Sequence, residues 1–267
     1  MSLPALFISH GSPMFAVEPG RLGPALGALG RALPRPRAVV VVSPHWMRPT
    51  LEVASGVSGE TVHDFGGFPR ALYALDYPAA GAPAVADAVI AELAHHGLHA
   101  RRNDTRGRDH GVWVPLMHLY PAADVPVIQV SQPSAPSPLA LLELGQALAG
   151  LREAGVLLIG SGSLTHNLRD YFHDTGTEPY AAEFANWVWA QLRAGDLDAL
   201  LNYRQQAPHA LRAHPTDEHF LPLFFAIGAG GCDWSQARRL DGGVLDGELS
   251  MDSFVFADPT PTPAHAA

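Results

Sequence analysis

The sequence predicts an α/β fold, in which a central, mostly parallel (mixed) sheet carries helices on both faces. Short apolar runs rich in β-branched residues recur along the chain and are bounded by Gly, Pro or Ser. Unbroken apolar runs of this length favour strands that are covered on both faces. Helical patterns lie between these runs, and strands that alternate with helices favour a parallel sheet.

The individual elements follow from local signals. The predicted strands are residues 3–9, 38–43, 125–131, 156–160 and 253–257. The predicted helices are residues 82–96, 138–154 and 180–193. Gly97 and Gly155 follow two of these helices, and Pro138 begins one of them, which is the usual placement of glycine and proline at helix ends.

Composition indicates one globular domain. A hydrophobic fraction of 47% against a charged fraction of 16% is enough to bury a sizeable core. Because no internal repeat and no long Gly/Ser linker divides the chain, we predict a single domain over residues 1–256. Residues 257–267 (ADPTPTPAHAA) are of low complexity and predict a flexible C-terminal tail.

Charge and cysteine content narrow the classes of partner and location. The formal charge of −9 disfavours binding to nucleic acid or to an anionic membrane surface. Cys232 is the single cysteine, so the chain cannot form an internal disulfide or a cysteine-rich zinc site. The N-terminus lacks the basic flank and long apolar run of a signal peptide. We therefore expect a cytoplasmic protein.

Histidines follow three of the apolar runs. His10 comes directly after the first run, His45 soon after the second, and His166 follows the segment GSGSLT after a later one. Ligands of such sheets bind outside the carboxyl ends of the strands, where these side chains would converge. Neutral imidazole is the commonest protein ligand for borderline metals. A single histidine at a strand end is best interpreted as a residue that merely caps the strand. Several histidines at equivalent strand ends favour a shared metal site.

Three further segments add candidates. In residues 214–223 (HPTDEHFLPL), Thr216 or Asp217 could cap a helix whose first turn holds Glu218 and His219, and either of these two could bind the metal. His110 follows Asp109, a carboxylate that could orient its ring. Residues 63–69 (HDFGGFP) form a glycine-hinged loop with two aromatic residues, which indicates either a substrate-covering segment or an ordinary turn.

Several common chemistries lack their motifs. The chain contains no GxSxG nucleophile elbow, no Walker loop and no HExxH pair. The histidine cluster therefore remains the main candidate for function. It could belong to a zinc-dependent hydrolase that uses the histidines to activate water, or to a non-catalytic metal-binding protein, although the chain has no histidine-rich tract of low complexity.

Seven segments in order resemble one known family. They are ALFISHGSPM (5–14), VVVVSPHW (39–46), HDFGGFP (63–69), ALYALDYPAAG (71–81), DHGVWVPL (109–116), GSGSLTHNL (160–168) and HPTDEHFLPL (214–223). Together they resemble the DOPA-dioxygenase-type branch of the class III extradiol ring-cleavage dioxygenases, the LigB superfamily. The likeness runs from residue 5 to about residue 256.

The resemblance implies a mononuclear metal enzyme that cleaves a catechol, DOPA-like or other, with O2 to a muconic-semialdehyde-type product. Ferrous iron would act in catalysis, and zinc would occupy the same site in some preparations. His10 and His45 match metal ligands of the family. His219 matches the third ligand, with its neighbour Glu218 as the alternative. His166 matches an acid/base residue that could also be a fourth ligand, and His110 matches a histidine near oxygen or substrate.

Overall fold

The computed structural model describes residues 2–173 and 179–257. Its strands are β1 (Ala5–Ser9), β2 (Ala38–Arg48), β3 (Leu51–Ala54), β4 (Ala100–Asn103), β5 (Val127–Pro133), β6 (Val156–Gly162), β7 (Arg238–Leu240), β8 (Val244–Leu245), β9 (Leu249–Ser250) and β10 (Ser253–Phe256). Its α-helices are α1 (Leu22–Ala32), α2 (Pro83–His95), α3 (His110–Leu119), α4 (Pro138–Leu148), α5 (Leu168–His173), α6 (Tyr180–Ala194), α7 (Leu197–Leu201), α8 (Tyr203–Gln206), α9 (Ala210–Ala213) and α10 (Pro222–Gly230). Short 3-10 helices span Pro13–Ala16, Arg70–Ala74, Ala149–Arg152 and Gly231–Gln236.

Eight of the described strands form one mixed sheet, in the order β4-β3-β5-β2-β6-β1-β10-β7. The four central strands β5, β2, β6 and β1 are parallel to one another. Antiparallel pairings flank them, between β3 and β5 on one side and between β1 and β10 on the other. The predicted α/β class with a mostly parallel sheet is confirmed.

Side chains of the central strands alternate between two apolar cores. Val39 and Val41 of β2 point to one face, where they lie in a core with residues of α1 and α3 such as Leu26 and Trp113. Val40 and Val42 point to the other face, which α2, α4, α6 and α10 cover. Helices therefore cover both faces of the sheet, which is why its strands are apolar on both sides.

The predicted strands and helices are present, but most of their bounds shift by one or two residues, as in β1, which begins at Ala5, and β5, which spans Val127–Pro133. Three larger differences have structural causes. β2 does not end at Ser43 but continues to Arg48, because its pairing with β5 shifts register between Ser43 and Met47. The predicted helix 138–154 is α4 followed by a 3-10 turn, Ala149–Arg152. The prediction of a helix capped by Thr216 or Asp217 is wrong, because α10 begins only at Pro222. The preceding residues form a turn, in which the Phe220 N–H donates to the Asp217 carbonyl at 2.9 Å.

The predicted tail at residues 257–267 lies outside the described residues except for Ala257, so the division at residue 256 stays a prediction. Within residues 2–173 and 179–257, no helix combines the length and the apolar character that crossing a lipid bilayer requires.

Candidate active site

Two of the candidate histidines are positioned by the central parallel strands. His10 follows β1, and its backbone N–H donates to the Gly162 carbonyl of β6 at 2.8 Å. His45 lies in the irregular part of β2, where residues 44–46 have no partner in β5. Such a bulge re-aims side chains at the edge of a sheet. The bulge brings the ring of His45 within 5.2 Å of the ring of His10, measured between ring centroids.

Three more histidines reach the same place from loops and a helix end. His110 is the first residue of α3, and its ring lies 4.1 Å from that of His45. His219 lies in the turn before α10, with its ring 5.0 Å from that of His45 and 5.7 Å from that of His10. His166 stacks on His219, with ring centroids 3.6 Å apart and planes inclined by 5°.

The loop after β6 can approach His219 because its glycine has no side chain. The backbone N–H of Ser163 donates to the His219 carbonyl at 2.8 Å. A Cβ atom at Gly162 would lie 2.2 Å from that same carbonyl oxygen, which is far closer than any contact allows. The glycine of the GSGS segment therefore permits the close approach of two chain segments, rather than binding a phosphate.

Four of the five rings have Nδ1 next to an oxygen that can accept a hydrogen bond. His10 Nδ1 lies 3.0 Å from Ser161 Oγ, which itself donates to the Gly111 carbonyl and must therefore accept from the ring. His110 Nδ1 lies 3.0 Å from Asp64 Oδ1, and His45 Nδ1 lies 3.4 Å from Asp64 Oδ2. His219 Nδ1 lies 3.1 Å from Glu218 Oε1. A neutral ring with its proton on Nδ1 presents a lone pair at Nε2.

The two best-defined lone pairs face each other. The Nε2 atoms of His10 and His45 are 3.2 Å apart. Two lone pairs at this distance repel unless a cation lies between them. Imidazole nitrogens that bind one tetrahedral Zn²⁺ at about 2.0–2.1 Å lie roughly 3.3 Å from each other. The pair therefore has the spacing of two ligands of a single metal ion.

Burial keeps four rings of the cluster, those of His10, His45, His166 and His219, neutral at pH 7. Desolvation lowers the pKa of His45 and of His166 to about 4, and it holds the pKa of His10 and of His219 well below the usual value. Neighbouring histidines lower these values further, since a second positive charge nearby is unfavourable. Unprotonated imidazole is the form that binds metal, so the donor set is ready at neutral pH.

Donor atoms close enough to share an ion fall into two groups. One consists of His10, His45 and His110, and the other of His166, Glu218 and His219. Glu218 is less suited than His219 to bind the ion, because its Oε1 already accepts from Thr216 Oγ1 at 2.9 Å and lies 3.1 Å from His219 Nδ1. The donor set as a whole, imidazoles with few carboxylates, suits Zn²⁺ or Fe²⁺ rather than Ca²⁺.

A cavity of about 300 Å³ opens beside these rings. Part of the cavity wall is formed by apolar and aromatic side chains. Among the described residues, no Lys or Arg lines the cavity. The lining consists of Gly11, Ser12, Pro13, His45, Asp64, Phe65, Gly66, Phe68, His110, His166, Leu168, His219 and Leu249. The loop at residues 63–69 thus contributes Asp64, Phe65, Gly66 and Phe68 to the cavity lining.

The carboxylate that contacts the His110 ring is not the one that the sequence indicated. Asp109 does not contact the His110 ring; it is fully buried and accepts from Ser43 Oγ at 2.8 Å and from Arg106 Nη2 at 2.9 Å. Asp64, which sequence reasoning did not single out, takes the role of the carboxylate beside His110. Its position next to His63, in a loop that the sequence offered as either a substrate-covering segment or an ordinary turn, was the available signal.

Comparison with known proteins agrees with the motifs. Residues 4–243 match the family model described as the catalytic LigB subunit of aromatic ring-opening dioxygenase. The chain belongs to the LigB family. It is therefore an extradiol dioxygenase, as the family resemblance of the sequence implied.

LigB-family relatives cover nearly the whole chain. A 4,5-DOPA dioxygenase extradiol of Escherichia coli (strain K12) is 40% identical over 257 residues, which is 93% of each protein. Its counterpart from Beta vulgaris is 39% identical over 258 residues, 94% of this chain and 95% of the relative. A crystal structure of an uncharacterized Escherichia coli K12 protein superposes with a TM-score of 0.75 at 32% identity, covering 95% of this chain and 99% of that one.

Proposed function

We propose that this enzyme opens the ring of a catechol with O2 at a single ferrous ion bound by His10, His45 and His219. The observation that carries the proposal is the 3.2 Å separation of the His10 and His45 Nε2 atoms. The Nδ1 atoms of the two rings lie beside Ser161 Oγ and Asp64 Oδ2, respectively.

His219 belongs to the other donor group, and its ring centroid lies 5.7 Å from that of His10 and 5.0 Å from that of His45, so its ring would have to move toward the pair to share the ion. The family resemblance, rather than the present distance, supports His219 over His110 as the third ligand. Three such ligands leave positions open, which oxygen activation at a non-haem iron requires.

Ferrous iron in this site would supply the redox chemistry toward O2 and would acidify the hydroxyl groups of a bound catechol. His166 is the group that accepts the first hydroxyl proton, because burial holds its pKa at about 4 and leaves the ring unprotonated at neutral pH. Its ring lines the cavity, within reach of a substrate beside His219.

His110 is the second proton-transfer residue in this proposal. Its Nδ1 donates to the Asp64 carboxylate, which would stabilise the positive charge that the ring gains when Nε2 takes up a proton from the cavity. His166 and His110 thus differ in their surroundings, and one ring can accept a proton while the other returns one.

The substrate class follows from the cavity and from the relatives. A catechol ring fits a cavity of about 300 Å³, where Phe65, Phe68 and Leu168 would contact its faces and edge. The relatives named 4,5-DOPA dioxygenase extradiol support a catechol with a short side chain. Zn²⁺ would bind the same donors but cannot change its oxidation state, so zinc-loaded protein would not consume O2.

The test is anaerobic reconstitution with ferrous iron, followed by a panel of 4-substituted catechols in an oxygen electrode. We expect O2 uptake in step with the appearance of a yellow ring-opened product, and none from the zinc-loaded protein. Iron bound at one equivalent without O2 uptake on any catechol of the panel would refute the proposal. Hydrolysis of an ester or amide by the zinc form, without any O2 uptake by the iron form, would favour a hydrolase instead.

A further inference from the structure

Asp64 contacts two different histidines of the cluster. Its Oδ1 accepts from the backbone N–H of His110 at 2.9 Å and from Nδ1 of the same residue at 3.0 Å. Its Oδ2 lies 3.4 Å from Nδ1 of His45. The carboxylate is 23% exposed and borders the cavity. One side chain therefore contacts both a proposed metal ligand and a proposed proton-transfer residue.

We propose that Asp64 is a positioning residue that keeps the protons of His45 and His110 on Nδ1 and aims both Nε2 atoms into the cavity. The inference rests on the proposed function for the roles of the two rings, but the orientation itself follows from the contacts. A carboxylate oxygen can only accept, so the His110 Nδ1 that lies 3.0 Å from it carries a proton, and the longer 3.4 Å approach favours the same proton position on His45. In a neutral ring Nε2 is then the lone pair, which is the state a metal ligand needs.

The position of Asp64 in the chain gives this arrangement a second consequence. Phe65, Gly66 and Phe68 follow it directly and line the same cavity. The Phe65 ring also lies 5.7 Å from the His110 ring, edge to face. The loop that would cover a substrate is therefore tied to the orientation of the two histidines through a carboxylate rather than through apolar packing alone.

A purely structural role is the competing explanation. Asp64 Oδ1 also accepts the backbone N–H of His110, which is the first residue of α3, and so could merely stabilise that helix end. Such a role would affect the stability of the fold. It would not set the proton position on the rings or the affinity for metal beyond any loss of folded protein.

The first experiment uses Asp64→Asn in the full-length protein, with Zn²⁺ as the probe. Asparagine keeps one oxygen acceptor but places an N–H₂ group against the other ring, so one Nδ1–H loses its partner. We expect Zn²⁺ affinity, measured by competition with a chromophoric chelator, to fall by about 10–100-fold. The matched control is Asp76→Asn, whose carboxylate accepts from Thr61 Oγ1 at 2.6 Å on a neighbouring loop. Its Zn²⁺ affinity should stay within about twofold of the original protein.

The second experiment does not depend on a variant of Asp64. In ¹⁵N-histidine-labelled, metal-free protein, the ring signals of His45 and His110, assigned from His45→Gln and His110→Gln, should report protonated Nδ1 and unprotonated Nε2. The opposite tautomer for either ring would overturn the proposal, even if Asp64→Asn failed to fold. Unchanged Zn²⁺ affinity in a folded Asp64→Asn protein would overturn it as well. Neither measurement uses catechol or O2, so an enzyme that lacks the proposed activity would leave this inference standing.

Discussion

At the scale of single residues, the cluster is made of one side-chain type whose members differ by their partners. His10 is paired with a serine hydroxyl, His219 with a glutamate, and His45 and His110 with one shared aspartate. His166 instead stacks face to face on His219. A partner fixes which nitrogen of a ring carries the proton, so these contacts orient the four paired rings, whereas His166 is distinguished by its stacking.

Replacement of single histidines should separate metal binding from turnover. We expect His10→Ala and His45→Ala to lose both bound metal and activity, since each removes a ligand. His166→Ala should retain most of the metal while its kcat falls by about 10²–10⁴-fold, which is the usual contribution of a positioned acid or base. Metal content and O2 uptake measure the two effects. His95→Ala, on the exposed end of α2, is the control, and full activity in His166→Ala would exclude the proposed role.

His214 predicts a pH dependence of stability. It is fully buried, its Nε2 donates to the Leu164 carbonyl at 2.9 Å, and burial lowers its pKa to about 3. Because the unfolded chain binds a proton near pH 6.5 while the folded protein does not, acidification from pH 7 to pH 5 favours unfolding. This residue alone should account for a loss of about 2 kcal/mol over that range.

The measurement is urea unfolding of metal-free protein at both pH values, for the original chain and for His214→Gln. The variant should be less stable at pH 7 but should lose about 2 kcal/mol less on acidification. His95→Gln is exposed and should show the pH dependence of the original protein. An identical pH dependence in His214→Gln would contradict the prediction.

At the scale of elements, α10 is positioned by backbone contacts that glycines permit. All of its residues are buried, and it packs between α4 and the sheet. A Cβ atom at Gly145 of α4 would lie 2.1 Å from the Phe225 carbonyl, and one at Gly228 of α10 would lie 2.1 Å from the Leu142 carbonyl. A Cβ at Gly160 of β6 would likewise lie 2.0 Å from the Pro222 carbonyl. This close packing places the turn that carries His219 beside the end of β6.

Gly228→Ala should therefore destabilise the protein, although alanine is the better helix former by about 1 kcal/mol. The added methyl group must displace the backbone of α4, and we expect a net loss of about 1–3 kcal/mol. Thermal and urea unfolding measure it. The matched control is Gly150→Ala, where a Cβ would meet nothing within 4 Å. A variant at position 228 as stable as the control would show that the two helices can separate without cost.

At the scale of the whole molecule, the proposed ligands come from distant parts of the chain. His10 follows the first strand, His45 lies in the second, and His219 precedes the last α-helix. Their rings meet because the strands that carry two of them lie side by side with β6 in a parallel sheet. A metal ion bound by all three would link the beginning and the end of the described chain, and would bind the folded state alone.

Metal removal should thus lower the melting temperature. At a free Zn²⁺ concentration of about 100 times its Kd, the folded state gains about 2.7 kcal/mol. For a chain of this length the gain corresponds to roughly 5–10 °C in Tm. Calorimetry with Zn²⁺ and after dialysis against chelator measures the shift. His10→Ala should show almost none of it and His95→Ala all of it, whereas an equal shift in His10→Ala would place the metal elsewhere.

The sequence by itself determined the class of fold, the central strands and the histidines that gather at their ends. Apolar runs and their Gly and Pro boundaries are local signals, and the rule that parallel strands present their carboxyl ends together converts positions in sequence into proximity. The family motifs added the order of the ligands. Three features depend on tertiary contacts and could not be predicted from the sequence. They are the bulge that turns His45 inward, the start of α10 at Pro222, and the contact of His110 with Asp64 rather than Asp109. The direction of a side chain in a loop depends on which distant backbone and side-chain groups contact it, and those contacts leave no periodic pattern in the sequence around it.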